Sequence, residues 1–170
     1  MTPATWITAS RLLAVPILLY GLQTLDPMAH WICLGVFLLA ALTDWLDGYV
    51  ARRFDQVTEL GKFLDPLVDK LLILCPLIAL VDLQQIPAWT VAVLLTRELA
   101  IAGWRVQQTQ ISGANLWGKA KTVSQIVAVS LLIAPLPPSW ELPTLLSYGL
   151  AIALTLISGL IYLWPQPSEA

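Results

Sequence analysis

The chain has 170 residues, of which 58% are hydrophobic and only 12% are charged. An ordinary soluble domain is about half apolar and about a quarter charged. The composition of this chain therefore excludes an ordinary soluble domain and indicates that lipid surrounds the protein. The net charge of −2 says little by itself, and we expect no nucleic-acid partner.

Six long apolar stretches follow one another along the chain. They cover residues 5–25, 29–50, 60–83, 88–104, 116–134 and 144–164, each near the ~20 residues that a helix needs to cross a bilayer. Turn-forming sequences such as Asp26-Pro27 separate them. Continuous apolar runs favour helices over the alternating strands of a barrel. We therefore predict an all-α fold, an integral membrane bundle of six transmembrane helices that forms a single domain over residues 1–170.

The basic residues all fall toward one side of this predicted bundle. With six spans, the loops near residues 26–29, 84–87 and 135–143 lie together on the other side and contain no Lys or Arg. Lys and Arg accumulate in cytoplasmic loops. We therefore expect both termini and the loops at 51–61 and 105–116 to face the cytoplasm.

Four aspartates flank the connection between the second and third stretches. Asp44 and Asp47 are three residues apart, and Asp65 and Asp69 are four apart, so each pair shares one face of its helix. A short connection makes the two helices antiparallel neighbours, which lets the four carboxylates converge. Unpaired charges near hydrocarbon are costly, and oxygen-only ligands suit Mg²⁺, Mn²⁺ or Ca²⁺. The pattern predicts a two-metal cluster that clamps a diphosphate.

The residues around these aspartates complete a longer motif. It reads Asp44-x2-Asp47-Gly48-x2-Ala51-Arg52-x8-Gly61-x3-Asp65-x3-Asp69. The glycines leave room for a ligand or a neighbouring helix beside the backbone. The motif resembles the signature of the CDP-alcohol phosphotransferase family, and every fixed position of that signature is filled.

The resemblance implies a homodimeric six-helix enzyme of the CDP-alcohol phosphotransferase fold with a cytoplasm-facing site. It implies two divalent ions, Mg²⁺ or Mn²⁺, the first held by Asp44, Asp47 and Asp65 and the second by Asp44, Asp65 and Asp69. Asp69 is also the implied catalytic base, which takes the proton from the acceptor hydroxyl. The implied CDP-lipid site consists of Asp47, Gly48, Ala51, Arg52, Thr58 and Gly61.

Segments outside the motif resemble the bacterial branch of the family whose acceptor is sn-glycerol 3-phosphate. These segments are Thr8-Ala9-Ser10-Arg11, Thr96-Arg97-Glu98 and Gly118-Lys119-Ala120-Lys121-Thr122. The resemblance implies transfer of a phosphatidyl group from CDP-diacylglycerol to glycerol 3-phosphate, which gives phosphatidylglycerophosphate and CMP. It also implies a location in a bacterial-type plasma (inner) membrane.

Five basic residues at the predicted cytoplasmic helix ends favour a phosphorylated acceptor on independent grounds, since a phosphate dianion needs cations and arginine grips it bidentately. They are Arg11, Arg97, Arg105, Lys119 and Lys121. The same residues would also suit contacts with anionic lipid headgroups, and Arg97 beside Glu98 would suit a structural ion pair.

Three other functions stay open at this point. The first is the same chemistry with another acceptor, such as inositol phosphate or serine, or with cardiolipin as the product. The second is a divalent-cation transporter, although the acidic groups stay in one half of the predicted bundle and do not line a path. The third is a prenyl-diphosphate transferase, which typically carries aspartate-rich motifs on two well-separated helices of a larger chain.

Overall fold

A computed structural model describes residues 3–24, 26–54, 59–107 and 116–163, with side chains described over 11–24, 26–43, 67–104 and 117–161. Its α-helices are α1 (Pro3–Leu22), α2 (Pro27–Phe54), α3 (Glu59–Asp82), α4 (Ala88–Gln107), α5 (Leu116–Ile133) and α6 (Glu141–Leu163), with a short 3-10 turn, Pro138–Trp140, before α6. These ranges contain no strand. The prediction of an all-α fold with six helices is confirmed, and every helix begins and ends within four residues of the predicted bounds.

The turn between α3 and α4 shows how tightly successive helices are connected. Gln84 adopts the left-handed region with φ 58°. The backbone N–H of Gln85 donates to the carbonyl of Leu80 at 3.0 Å, and that of Gln84 donates to the carbonyl of Val81 at 2.9 Å. These two bonds form the Schellman arrangement that satisfies the last carbonyls of a helix. The chain can therefore reverse within a few residues and send α4 back along α3.

The helices pack around an apolar interior. In the described part of the chain α1 contacts both α2 and α3 extensively, α2 touches α3 over a shorter stretch, and α6 packs against α5 and α4. The largest side chains of the interior are almost completely buried and include Leu18, Leu22, Phe37, Leu77, Leu80, Leu94 and Ile133. Because successive helices alternate in direction, the start of α1, α3 and α5 and the end of α2, α4 and α6 share one end of the bundle. We call this the motif end, since it holds the aspartate motif.

The outer surface of the described residues carries many large hydrophobic side chains. Large hydrophobic side chains are exposed on all six helices, for example Leu13, Leu39, Leu67, Leu99, Val123 and Leu146. Among the described residues one helix, Pro138–Ile161, is long and apolar enough to cross a membrane, with a mean hydropathy of 1.9, and Arg11–Leu22 and Pro27–Thr43 are shorter apolar stretches. The number of helices thus agrees with the prediction, while six membrane spans stay a prediction.

Candidate active site

The four motif aspartates lie on two helices at the motif end. Asp44 and Asp47 are on α2, and Asp65 and Asp69 are on α3. The structure describes the side chain of Asp69 alone among the four. In the predicted CDP-lipid site, Gly48, Ala51 and Arg52 belong to α2 and Gly61 to α3, with side-chain positions outside the described part, and Thr58 lies outside the described residues altogether. The backbone therefore brings both halves of the motif to one end of the bundle.

Asp69 is held by an arginine from another helix. Arg11 of α1 donates from Nη1 to Oδ1 of Asp69 at 2.8 Å. The Arg11 side chain is only 3% exposed, whereas that of Asp69 is 42% exposed. A charge-assisted hydrogen bond from a buried, rigid guanidinium orients the carboxylate and stabilises its negative charge. The predicted general base thus has a fixed orientation and stays accessible.

A second group of charged side chains joins α3, α4 and α5. Glu98 accepts a hydrogen bond at its Oε1 from Arg97 Nη1 at 3.1 Å and another from Lys121 Nζ. Lys70 Nζ donates to the backbone carbonyl of Glu98 at 3.3 Å. We call Lys70, Arg97, Glu98 and Lys121 the basic cluster. Two cations, Arg97 and Lys121, bond to the carboxylate of Glu98, and Lys70 bonds to its backbone carbonyl. Within these four residues positive charge exceeds negative charge.

The side chains of the basic cluster are shielded from solvent. Those of Arg97, Glu98 and Lys121 are between 10% and 13% exposed. Positive charge that is removed from water requires a counter-charge, and among the described side chains of the cluster Glu98 supplies one. The arrangement therefore favours an anion as the further partner, and a phosphate is the anion whose geometry suits an arginine beside lysines.

The basic cluster adjoins Asp69 through α3. Lys70 follows Asp69 directly in the sequence, so the two residues are separated by about 1.5 Å along the helix axis and by about 100° around it. Lys70 donates to the backbone carbonyl of Glu98, and the carboxylate of Glu98 pairs with Arg97 and Lys121. The basic cluster and Asp69 are therefore linked through consecutive residues of α3.

The structure joins two of the five predicted phosphate-binding residues through a common partner, and the roles of all five stay a prediction. Arg97 and Lys121 meet at Glu98, whereas Arg11 pairs with Asp69. Lys119 is exposed and is two positions from Lys121 on α5, a spacing that places two side chains on different faces of a helix. Arg105 lies on α4 beyond Arg97, with its side chain outside the described part.

The last helix contributes a residue that the sequence analysis did not select. Arg97 Nη2 donates to the hydroxyl oxygen of Ser158 on α6, and Ser158 is 1% exposed. A buried hydroxyl in a long apolar run is the signal that would have indicated it, because polar residues in apolar helices commonly mark contacts between helices.

Comparison with known proteins identifies the class to which this fold and site belong. The sequence pattern of the CDP-alcohol phosphatidyltransferase family matches residues 1–163, and the chain belongs to this family. It is therefore an enzyme that transfers phosphatidyl groups, which sets aside the transporter and the prenyl transferase as readings of the aspartate motif.

Three relatives with assigned names are similar to this chain over most of its length. A Bacillus subtilis (strain 168) protein named CDP-diacylglycerol--glycerol-3-phosphate 3-phosphatidyltransferase is 44% identical over 144 residues, which cover 80% of this chain and 74% of the relative. A Pseudomonas fluorescens protein of the same name is 35% identical, with 94% of this chain and 89% of the relative covered. An Oryza sativa subsp. japonica protein named cardiolipin synthase (CMP-forming) is 34% identical over 96% of this chain and 55% of the relative.

Proposed function

We propose that this protein transfers the phosphatidyl group of CDP-diacylglycerol to sn-glycerol 3-phosphate, giving phosphatidylglycerophosphate and CMP in phospholipid synthesis. The observation that carries the proposal is the 44% identity to a relative named for this reaction. The basic cluster supports it from the structure, because an excess of shielded positive charge beside Asp69 suits an acceptor that carries both a phosphate and a hydroxyl.

Two divalent ions, Mg²⁺ or Mn²⁺, would be held by the motif aspartates. The donor set fits them, since it consists of carboxylates on two helices that meet at the motif end, with no sulfur or imidazole in the motif. Asp44, Asp47 and Asp65 would hold one ion, and Asp44, Asp65 and Asp69 the other. Bound there, the ions would neutralise the diphosphate of the CDP-lipid.

The residues of the chain would carry out the transfer in one displacement. Asp69, oriented by Arg11, takes the proton of the acceptor hydroxyl. The hydroxyl oxygen forms a bond to the β-phosphorus of the CDP-lipid, and the bond from that phosphorus to the bridging oxygen breaks, so that CMP leaves. Asp47, Gly48, Ala51, Arg52, Thr58 and Gly61 would line the site of the CDP-lipid.

The acceptor phosphate would lie in the basic cluster. Arg97 and Lys121 are the best-supported ligands, because Glu98 holds both of them at one place. Lys70 joins them from α3. Arg105 and Lys119 would contribute from the rim, and Arg11 would act on the acceptor indirectly through Asp69.

The bundle would lie in a bacterial-type inner membrane with all six helices crossing it. Exposed apolar side chains on every helix support this placement, because a soluble protein rarely exposes so much contiguous apolar surface. The nine Lys and Arg residues would place the site and both termini at the cytoplasmic face. The functional unit would be a homodimer.

The proposal is tested by the choice of acceptor. Purified protein in detergent or vesicles is given CDP-diacylglycerol, Mg²⁺ and one acceptor at a time, and the release of CMP is measured. We expect release with glycerol 3-phosphate and only background release with inositol phosphate, serine or no acceptor. Equal release with serine and glycerol 3-phosphate would contradict the proposed acceptor.

The plant relative named as a cardiolipin synthase makes one second candidate worth testing. Formation of cardiolipin from a CDP-lipid requires phosphatidylglycerol as the acceptor, and that lipid carries no free phosphate dianion. Phosphatidylglycerol therefore belongs in the acceptor panel. Preference for it over glycerol 3-phosphate would identify cardiolipin as the product.

A further inference from the structure

The sixth helix binds Arg97 through the hydroxyl oxygen of Ser158, whose proton is donated to another group. Ser158 donates its hydroxyl proton to the backbone carbonyl of Thr155 at 3.2 Å. Its oxygen lone pairs are then directed away from its own helix, and Arg97 Nη2 donates to that oxygen. Since Arg97 Nη1 donates to Glu98, the two ends of the guanidinium are fixed by two different helices.

Thr155, one turn earlier on α6, shows the same pattern of hydrogen bonds. Its hydroxyl donates to the carbonyl of Ala151 at 2.6 Å and accepts a hydrogen bond from Nε2 of Gln125 on α5 at 3.1 Å. Thr155 and Ser158 are both buried. One face of α6 therefore presents acceptor oxygens to its neighbours, and the acceptor nearest the basic cluster serves Arg97.

Gly159 leaves the space that the Arg97 side chain occupies. A Cβ atom at position 159 would lie 3.0 Å from Arg97 Nε and 3.3 Å from its Cγ, closer than such atoms normally approach. By contrast, a Cβ at Gly149 of the same helix would meet no atom within 4 Å. The absence of a side chain at 159 thus leaves room for Arg97 to pack closely against α6, whereas Gly149 has no such neighbour among the described residues.

Arg97 keeps donor capacity that the described protein groups do not use. Its Nε is buried and has no hydrogen-bond partner among the described residues. An unused donor on a buried cation is costly. Among the described residues, the basic cluster also carries more positive than negative charge, so an anion is the partner that would stabilise it.

We propose that Ser158 and Gly159 of α6 are positioning residues that hold Arg97 for the phosphate of the acceptor, so that the last helix sets the affinity for glycerol 3-phosphate. This inference rests on the proposed function. It extends that function from the aspartate motif and the basic cluster to a helix that carries no motif residue.

The test compares two pairs of variants in the CMP-release assay, with KM measured separately for glycerol 3-phosphate and for CDP-diacylglycerol. Ser158→Ala removes the hydroxyl, and Ser158→Thr keeps it. Gly159→Ala places a methyl group on Arg97, and Gly149→Ala adds the same group in open space. Thermal unfolding of each purified variant shows whether the bundle is intact.

Ser158→Ala and Gly159→Ala should each raise KM for glycerol 3-phosphate about five- to tenfold, as the loss of a hydrogen bond to a charged group predicts. KM for CDP-diacylglycerol should change by less than about twofold. Ser158→Thr keeps the hydroxyl and should therefore raise KM for glycerol 3-phosphate less than Ser158→Ala does. Gly149→Ala should leave both KM values as in the wild type.

Two results would overturn the inference while the proposed function stands. In the first, the wild type uses glycerol 3-phosphate, and Ser158→Ala and Gly159→Ala have the same KM for glycerol 3-phosphate as the wild type. The other is an equal rise in KM for both substrates, which would indicate a general disturbance of the bundle. A wild type that is inactive with glycerol 3-phosphate would overturn the proposed function first, and the inference with it.

Discussion

Arg11 and Asp69 are 58 positions apart in the sequence, yet Nη1 of the arginine lies 2.8 Å from Oδ1 of the aspartate. The arginine is buried and the aspartate is half-exposed. The pair therefore links α1 to α3 at the motif end and fixes one carboxylate oxygen of the proposed general base. A carboxylate that is held in this way loses less freedom when the acceptor binds, which is the usual advantage of a positioned catalytic group.

Arg11→Ala should lower kcat, because Asp69 loses the group that orients it. A charge-assisted hydrogen bond is worth about 1.5–3 kcal/mol, and the exposure of Asp69 places the effect at the lower end, about tenfold in turnover. Arg11→Lys should recover only part of the rate, since lysine lacks the rigid fork. Leu13→Ala, at an exposed position of the same helix, is the control. An unchanged kcat in Arg11→Ala would show that Asp69 does not depend on Arg11.

Asp69→Asn should abolish CMP release without unfolding the protein, because the amide cannot take a proton from the acceptor hydroxyl. Asp82→Asn, at the other end of the same helix, is exposed and should leave turnover within about twofold of the wild type. Thermal unfolding should show an intact bundle for both. Near-normal turnover of Asp69→Asn would remove Asp69 from the mechanism as the base.

Lys121→Ala and Lys119→Ala should differ, although the two lysines are two positions apart. Lys121 is shielded and pairs with Glu98, whereas Lys119 is exposed. We expect Lys121→Ala to raise KM for glycerol 3-phosphate about tenfold, and Lys119→Ala to have a smaller effect because an exposed charge is screened. Equal effects of the two variants would place the acceptor phosphate outside the basic cluster.

The proposed topology can be checked by labelling single cysteines with a membrane-impermeant maleimide, in a background where Cys33 and Cys75 are alanine. Ser139→Cys lies at the end of the bundle opposite the motif and should be labelled in intact cells. Gln110→Cys, which falls between α4 and α5 in the sequence, should be labelled only after the membrane is opened, since Lys and Arg favour the cytoplasmic side. Labelling of Gln110→Cys in intact cells would reverse the topology.

The sequence was sufficient to predict the helices but not their ends. Hydropathy predicts the apolar middle of a helix. The start that it predicts for the second helix is residue 29, whereas α2 begins at Pro27. The cause is a cap: Asp26 Oδ1 accepts a hydrogen bond from the N–H of Met28 at 3.0 Å, and Pro27 suits the first helical position. At the other end, α2 continues through Arg52 to Phe54, because charged residues outside the apolar run extend the helix without raising its hydropathy.

The sequence predicts those parts of the candidate site that depend on spacing within one helix. Asp65 and Asp69 share a face by their separation alone, and Arg97 was selected for its charge in an apolar span. The contacts of Arg11 with Asp69 and of Arg97 with Ser158 join different helices. They depend on which helices pack together and at what level, and the spacing of residues along one chain contains no such information.

The central claim is that the four motif aspartates hold divalent cations at the diphosphate of the CDP-lipid, and manganese binding tests it most directly. Mn²⁺ is titrated into the purified protein in the presence of CDP-diacylglycerol, and bound Mn²⁺ is measured by electron paramagnetic resonance. We predict two bound ions per chain in the wild type and in Asp82→Asn, and loss of both when Asp44 and Asp65 are replaced by asparagine. Unchanged binding in the Asp44 and Asp65 double variant, with the protein folded, would contradict the claim.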